Sequence, residues 1–226
     1  MVEPHRLLVV DDDPPVREVY RAFFSSSTEF AVCGEARQGA EAVEAYAALG
    51  PDVVLMDLQM PLVSGIEATR QICQRWPGAC VVAMTTFGTS EYVVAALRAG
   101  AAGYLLKDVG GAGLLAGLRQ ALAGEMPLSS SVRRELVASV VQDRPRAAVG
   151  TTGVELTPRE HEVLGWLAQG LTNHQIGAQM YVSEGSVKQY LVHIGRKLGV
   201  TSRTGILVRA IQLDLVDPRA LPPARD

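Results

Sequence analysis

The sequence predicts a doubly wound α/β domain followed by a smaller all-helical domain. Three observations predict this arrangement. Short apolar, β-branched runs alternate five times with segments of helical spacing before residue 124. No strand pattern recurs after Thr157. The chain has 226 residues, which is enough for two domains of ordinary size.

The apolar runs are typical of parallel strands that are covered on both faces. They lie at residues 7–10, 30–33, 53–56, 80–84 and 104–106. The segments with helical spacing lie at residues 16–24, 40–49, 66–76, 92–99 and 114–122. This order predicts five strands, each followed by a helix.

The second part of the chain carries the start signals of four helices. Thr157 and Thr172 each open a capping box, and Ser183 and Ser202 each precede a helical pattern. We therefore predict an α/β domain over residues 1–124 and a four-helix domain over 154–217. The linker between them, 125–153, is expected to contain one helix, and residues 218–226 form a tail.

The composition is that of a soluble globular protein, with 48% hydrophobic and 20% charged residues. The longest stretch without charge, residues 163–183, is too polar to cross a membrane. The N-terminus has no signal-peptide core, so we expect a cytoplasmic protein with no membrane partner. Cys33, Cys73 and Cys80 show no metal-site spacing and are expected to be free thiols.

Charge is unevenly distributed along the chain. Residues 1–124 hold nine basic and fourteen acidic side chains, whereas residues 151–226 hold eight and seven. The overall net charge of −3 therefore comes from the first domain. It does not exclude nucleic-acid binding by the second.

Carboxylates follow two of the predicted strands at the points where these strands end. Asp11 and Asp12 come directly after the first strand, and Asp57 ends the third. In a doubly wound sheet, strand carboxyl ends converge at the crevice where ligands bind. Crowded carboxylates need a cation, and an all-oxygen site suits Mg²⁺ together with phosphate oxygens.

Two further polar residues end later strands. Thr85 ends the fourth strand and Lys107 follows the fifth, so a hydroxyl and an ammonium are expected beside the acids. Taken alone, each of these residues could be a turn or cap residue. Asp13 is expected to cap the first helix, and Asp52 to lie at the far end of its strand. The other residues occur together at successive strand ends and predict phosphoryl chemistry with Asp57 as nucleophile. They are Asp11, Asp12, Asp57, Thr85 and Lys107.

Residues 6 to about 124 resemble a two-component receiver domain, which has a flavodoxin-like fold. The resemblance rests on the segments at 10–14, 57–61, 84–86 and 103–107. It implies that Asp57 accepts a phosphoryl group from a sensor histidine kinase. It also implies that Asp12 and Asp57 bind Mg²⁺ directly and that Asp11 holds a metal-bound water. The backbone carbonyl of Gln59 would complete the protein ligands.

The same resemblance implies a switch next to the acceptor. Lys107 would pair with the phosphoryl oxygens, and Thr85, beside Thr86, would hydrogen-bond them. Tyr104 would then turn inward. Such a protein catalyses its own phosphotransfer and slow dephosphorylation and is not otherwise an enzyme.

Residues 155–217 resemble the LuxR-type helix-turn-helix domain of the NarL/FixJ response regulators. The matching segments include 156–160, 170–173, 182–188 and 197–200. Two helices joined by a tight turn at residues 181–183 would place the second helix in the DNA major groove. Lys188, Gln189 and Val192 are the predicted base-reading residues. The other predicted DNA contacts, mainly to phosphates, are Thr172, Asn173, Ser183, Ser186, His193, Arg196 and Lys197.

The sequence therefore predicts a transcriptional response regulator whose phosphorylation controls homodimerisation and binding to promoter half-sites. Two alternatives stay open. One is a DNA-binding regulator that ignores phosphorylation and uses its receiver only to dimerise. The other is a Mg²⁺-dependent phosphatase, although Leu58 and Gln59, beside Asp57, offer no general acid.

Overall fold

The structure is a computed structural model that describes residues 3–86, 90–125, 154–200 and 202–216. Its first part is a five-stranded parallel sheet with strand order β2-β1-β3-β4-β5. The strands are β1 His5–Val10, β2 Phe30–Ala36, β3 Val53–Asp57, β4 Val81–Thr85 and β5 Gly103–Leu106. The central strands are buried along their whole length, as the apolar runs predict.

Helices connect the strands and cover both faces of the sheet. They are α1 Pro14–Ser25, α2 Gly39–Leu49, α3 Gly65–Arg75, α4 Ser90–Ala99 and α5 Gly110–Leu122. Side chains of α1 and α5 pack on one face, around Phe24 and Leu118. Those of α2 and α3 pack on the other, around Ile72. Neighbouring strand residues such as Leu7 and Leu8 belong to opposite faces, as the pleat requires.

The second part is all-helical among the described residues. Its helices are α6 Pro158–Ala168, α7 Asn173–Met180, α8 Glu184–Leu198 and α9 Arg203–Gln212. Both predicted capping boxes are present, and Ser183 and Ser202 each accept a backbone N–H at their helix starts. The predicted fold class, doubly wound α/β plus all-α, is confirmed.

Two predicted segments fall on residues that the structure does not describe. The linker 125–153, with its expected helix, lies outside the described residues except for Glu125, and the tail 218–226 lies wholly outside them. The domain boundaries therefore stay a prediction. Within the described ranges, no helix combines the length and the apolar character needed to span a membrane.

Candidate functional site

The sheet order brings the carboxyl ends of β1 and β3 side by side. Val10, the last residue of β1, pairs with Met56, so Asp11 and Asp57 follow neighbouring positions. The chain leaves β1 towards one face and β3 towards the other, which opens a crevice between the two strand ends. Both carboxylates are almost fully buried, with 2% of Asp11 and 5% of Asp57 exposed.

Lys107 bridges these two carboxylates from the end of β5. Its Nζ donates to Oδ2 of Asp11 at 2.7 Å and to Oδ2 of Asp57 at 2.9 Å. The other oxygen of Asp57, Oδ1, accepts the backbone N–H of Gln59 at 3.2 Å. The ammonium therefore compensates part of the negative charge at this edge of the sheet.

Burial and charge act in opposite directions on the groups of this cluster. Burial raises the pKa of Asp57, and the hydrogen bonds from Lys107 and Gln59 offset only part of that rise. Burial alone would lower the pKa of Lys107, but its bonds to Asp11 and Asp57 raise that pKa above its ordinary value. Lys107 is thus held in its charged form.

The donor set fits a hard divalent cation. One carboxylate oxygen from each of Asp11, Asp12 and Asp57 lies within 4.8 Å of the others. Asp12 is exposed, so the cluster opens to solvent on its side. Carboxylate oxygens in an open, water-accessible site are what Mg²⁺ prefers. The Gln59 side chain is also exposed, which suits a residue expected to offer only its backbone.

The predicted switch residues lie at the ends of β4 and β5. Thr85 is buried at the last position of β4, and Thr86 after it is exposed. Tyr104 is buried on β5 and pairs with Ala83 across the ladder. Its hydroxyl has no hydrogen-bond partner among the described residues. The structure thus places a buried threonine near the acidic cluster and a buried tyrosine on the adjacent strand.

The predicted cap at Asp13 is wrong in its chemistry. Asp13 occupies the N-cap position of α1, but its side chain accepts no capping hydrogen bond. A cap carboxylate accepts from the second or third helical N–H; Pro15 at the second position has none, which leaves the N–H of Val16 at the third position as the single donor for such a bond. Asp52 lies at the opposite end of β3, as predicted, where its carboxylate accepts the backbone N–H of Arg6 at 2.7 Å.

Two residues of α1 near the pocket were missed from the sequence. Arg17 is buried and donates from Nη1 to the backbone carbonyl of Asp11 at 2.6 Å. The Tyr20 hydroxyl lies 3.5 Å from Sδ of Met84, and burial raises its pKa to about 12. Both share the inner face of α1 with Phe24, at helical spacing. That spacing could have marked them.

The second candidate site is the exposed face of α8, in the helix-turn-helix formed with α7. Val187, Leu191 and Ile194 are buried on its inner face. The three predicted base-reading residues are exposed, with 59% of Val192 accessible. Lys188 pairs with Glu184 one turn earlier at 2.9 Å, a contact that DNA would have to compete with. His193 and Arg196 are exposed on the same helix.

Two of the predicted phosphate contacts have partners inside the domain. The buried Asn173 accepts a hydrogen bond from Nη1 of Arg203 at 2.6 Å. Lys197 Nζ donates to Glu160 at 2.7 Å and to the carbonyl of Glu155 at 3.1 Å. The structure therefore gives Asn173 and Lys197 roles in domain packing, whereas contact with DNA stays a prediction for them.

The remaining predicted phosphate contacts lie at helix starts. The Thr172 and Ser183 hydroxyls each cap a helix by accepting a backbone N–H. Ser186 lies 2.9 Å, oxygen to oxygen, from Ser183. Unpaired N–H groups at a helix start attract anions, so these positions suit phosphates.

Two family models match the chain, one on each domain. The response regulator receiver domain matches residues 7–119, and the luxR family of bacterial regulatory proteins matches residues 154–210. The two matches correspond to the α/β part and the all-helical part of the structure.

Curated relatives match along most of the chain. The nitrate/nitrite response regulator protein NarL of Escherichia coli K12 is 36% identical, over 89% of this chain and 92% of its own. The uncharacterized transcriptional regulatory protein YxjL of Bacillus subtilis is 39% identical, over 93% of this chain and 97% of its own. The DNA-binding transcriptional activator DevR/DosR of Mycobacterium tuberculosis is 33% identical, over 96% and 97%.

Solved structures agree with this assignment. The crystal structure of the response regulator ChrA, from a heme-sensing two-component system, is 36% identical with a TM-score of 0.51. The match covers 95% of this chain and 100% of that one. A LuxR-family response regulator from Aurantimonas is also 36% identical, with a TM-score of 0.56 over 61% of this chain and 99% of its own. The protein belongs to the NarL/FixJ family of DNA-binding two-component response regulators, with a receiver domain followed by a LuxR-type helix-turn-helix domain.

Proposed function

We propose that this regulator controls transcription in the cytoplasm through Mg²⁺-dependent phosphorylation of Asp57 by a sensor histidine kinase. The observation that carries the proposal is the position of the Lys107 ammonium, which bonds to both Asp11 and Asp57. Asp12 completes the cluster, in which one carboxylate oxygen of each acid lies within 4.8 Å of the others. This arrangement provides a nucleophile, a fixed cation and a set of metal ligands in one crevice.

The chemistry is a transfer between two nucleophiles. A carboxylate oxygen of Asp57 attacks the phosphorus of a phosphohistidine, forming a P–O bond while the P–N bond breaks. The imidazole of the kinase leaves with the electron pair of that bond and takes up a proton. Asp12, Asp57 and the backbone carbonyl of Gln59 would hold Mg²⁺ directly, and Asp11 would hold it through a water molecule. The ion would offset charge on the phosphoryl oxygens.

Lys107 has a second task once Asp57 is modified. The phosphoryl group adds a charge between about −1.5 and −2 to a crevice that already holds Asp11 and Asp12. Lys107 is already within 2.9 Å of Asp57, so it can pair with the new oxygens after a small displacement. It thereby limits the repulsion that would otherwise oppose phosphorylation.

The phosphoryl group would also attract the Thr85 hydroxyl from the end of β4. Thr86 is the first residue beyond that strand, so movement of Thr85 displaces the start of the β4–α4 connection. Tyr104 on the adjacent strand would fill the space that Thr85 leaves. Such a rearrangement changes the surface formed by α4, β5 and α5 and biases the protein toward a homodimer.

Intact mass spectrometry after incubation with Mg²⁺ and acetyl phosphate tests the acceptor. We expect one added phosphoryl group on the wild type and none on Asp57→Asn. Asp52→Asn is the matched control, because Asp52 immediately precedes β3, at the end of the strand away from the crevice. It should be modified like the wild type. Chelation of Mg²⁺ before the reaction should abolish the adduct.

The outcomes separate the alternatives. Wild type that gains no phosphoryl group from several donors, yet binds DNA, would favour the regulator that only dimerises through its receiver. Continuous release of phosphate over many turnovers would favour the phosphatase. A single stable adduct that changes DNA affinity supports our proposal.

Selection of binding sites from a random duplex library tests the base-reading residues. Lys188→Ala and Gln189→Ala should each relax the preference at one or two base positions, by about 1–3 kcal/mol for a lost bidentate contact. Val192→Ala should relax a preference for thymine, because it removes an apolar contact with the thymine methyl group. Arg196→Ala should weaken binding to all DNA sequences alike and lower the salt dependence of binding by about one counterion. His161→Ala, at an exposed position of α6, serves as control and should change neither the base preference nor the salt dependence.

A further inference from the structure

The buried Arg17 occupies a place that the proposed phosphorylation chemistry does not use. Only 9% of Arg17 is exposed, although arginine is rarely buried without a specific partner. Its partners are the backbone carbonyl of Asp11, 2.6 Å from Nη1, and the carboxylate of Glu35 on β2, 3.4 Å from Nε. The guanidinium therefore links the end of β1 to β2 through side-chain atoms.

The carbonyl that Arg17 holds belongs to the peptide between Asp11 and Asp12. That peptide lies beyond the last ladder pair of β1 with β3, which joins Val10 to Met56. The N–H of Asp11 still donates to the carbonyl of Ala36 at 3.1 Å. Both main-chain groups of Asp11 are thus engaged, one by β2 and one by Arg17. Because a peptide is planar, holding its carbonyl also sets the orientation of the N–H of Asp12.

Asp12 depends on this arrangement more than the other acids do. Its carboxylate is exposed and makes no hydrogen bond or ion pair with any residue in the described ranges. Asp11 and Asp57, by contrast, are held by the Lys107 ammonium. No described side chain fixes the Asp12 carboxylate, so its position depends on the Cα–Cβ direction that the backbone sets. The backbone there is held by Arg17, and also by the N–H of Asp13, which donates to Oδ1 of Asp11 at 3.0 Å.

We propose that Arg17, anchored by Glu35, is a positioning residue that orients the Asp11–Asp12 peptide so that Asp12 can bind the divalent cation. This inference rests on the proposed function, because it assumes that the acidic cluster binds Mg²⁺. It adds a residue that touches neither the metal nor the phosphoryl group.

Removal of Arg17 should change the Mg²⁺ affinity in opposite directions depending on whether Arg17 acts only through its charge or positions Asp12. The inference can therefore be tested. Arg17 is a cation near a cation site, so its simple removal should strengthen Mg²⁺ binding by reducing repulsion. If Arg17 positions Asp12, its removal should weaken Mg²⁺ binding instead. Loss of a group that orients a metal ligand commonly lowers affinity by about 10- to 100-fold.

The experiment is calorimetric titration of the full-length protein with MgCl₂. We expect Arg17→Met to weaken binding by about 10-fold or more. Arg21→Met is the charge-matched control, because Arg21 also pairs with Glu35, at 2.7 Å, but is exposed and has no bond to Asp11. It should bind Mg²⁺ within about twofold of the wild type, as expected for a surface charge.

Two further variants test the anchor and protect against misfolding. Arg17→Lys cannot span both partners with a planar fork, so it should also weaken Mg²⁺ binding. It decides the question if Arg17→Met does not fold, as judged by circular dichroism. Glu35→Gln should weaken binding less, and the double variant with Arg17→Met no more than Arg17→Met alone, because the two side chains act as one unit.

Wild-type affinity, or tighter binding, in folded Arg17→Met or Arg17→Lys would overturn this inference and leave the proposed function standing. A wild type that binds no Mg²⁺ would overturn both.

Discussion

Tyr104 places a hydroxyl in the interior of the receiver domain without a hydrogen bond to any described residue. Burying an unpaired hydroxyl costs free energy, because water would otherwise satisfy it. Burial also raises the pKa of this hydroxyl, so it stays protonated at neutral pH. An unpaired group of this kind is available for a new partner when its surroundings rearrange, which suits a switch residue.

We expect Tyr104→Phe to keep or increase the stability of the unphosphorylated receiver domain, by up to about 1 kcal/mol, because it removes an unpaired polar group. Urea unfolding followed by Trp76 fluorescence in a Trp166→Phe background measures this. Tyr20→Phe is the control, since the Tyr20 hydroxyl contacts Sδ of Met84 and its removal should be neutral or slightly destabilising. A loss of more than about 1 kcal/mol in Tyr104→Phe would mean that the hydroxyl is paired in solution.

At the scale of the element, the end of helix α8 depends on a glycine inside the helix. Gly199 ends α8 in the left-handed region, with φ at 70°, and the next N–H, that of Val200, donates to the carbonyl of Gly195 at 2.9 Å. This return of the chain places the Val200 carbonyl 2.5 Å from where a Cβ on Gly195 would lie. The helix therefore ends tightly because residue 195 has no side chain.

Gly195→Ala should destabilise the DNA-binding domain by about 1–3 kcal/mol through this overlap. Helix propensity alone predicts the opposite, a gain of about 1 kcal/mol. Gly165→Ala in α6 separates the two effects and should increase stability. Apart from its chain neighbours and the backbone of its own helix, none of the described residues has an atom within 4 Å of the added Cβ. Trp166 fluorescence during urea unfolding in a Trp76→Phe background reports on both variants. Equal increases in the free energy of unfolding for Gly195→Ala and Gly165→Ala would contradict the steric argument.

A second feature at this scale joins the start of α6 to the last turn of α8. The buried Glu160 closes the capping box at Thr157 and accepts from Lys197 Nζ at 2.7 Å. Burial raises the pKa of Glu160, but the hydrogen bonds from Lys197 and Thr157 outweigh it and hold the pKa below its ordinary 4.5. A depressed carboxyl pKa adds stability above about pH 4.5, and this stability is lost as the pH falls through the folded-state pKa.

Glu160→Gln should therefore cost about 1.5–3 kcal/mol at pH 7, the value of a hydrogen bond to a charged group. The difference from wild type should shrink as the pH falls towards 3. Unfolding of the second domain at several pH values, again followed by Trp166 fluorescence, measures the effect. A difference that stays constant from pH 7 to pH 3 would show that the charge of Glu160 contributes nothing.

At the scale of the whole molecule, the two domains differ in net charge. The DNA-binding part, residues 151–226, has a net charge of only about +1, so one copy has little electrostatic attraction to DNA. Two copies on paired half-sites gain affinity because binding of the first raises the effective concentration of the second. Control of dimerisation is then an efficient way to control DNA binding.

Light scattering should show an increase towards twice the monomer mass of 24.1 kDa when the wild type is incubated with Mg²⁺ and acetyl phosphate. Asp57→Asn should keep its starting mass, because no phosphoryl group rearranges its receiver surface. Dimerisation of Asp57→Asn to the same extent as phosphorylated wild type would favour a receiver that assembles without phosphorylation.

Much of the fold could be predicted from local patterns. The five strands and the helices between them follow from the apolar spacing, and the helix starts from Thr157, Thr172, Ser183 and Ser202 follow from side-chain capping. The helices begin one to four residues earlier than predicted, because α3 and α5 start at Gly65 and Gly110, outside the apolar pattern. The convergence of Asp11, Asp57 and Lys107 was predictable because parallel strands end at one edge.

Tertiary structure alone decided which polar groups meet. Arg17 on α1 bonds to a carbonyl six residues earlier and to Glu35 on β2, and Lys197 bonds to Glu160, which lies 37 positions away in the chain. No local pattern encodes such contacts, since they depend on how helices pack on the sheet and on each other. The sequence by itself determined the fold class, the family and the acidic crevice. Packing decided how the backbone of that crevice is held and which charges of the DNA-binding domain are engaged inside it.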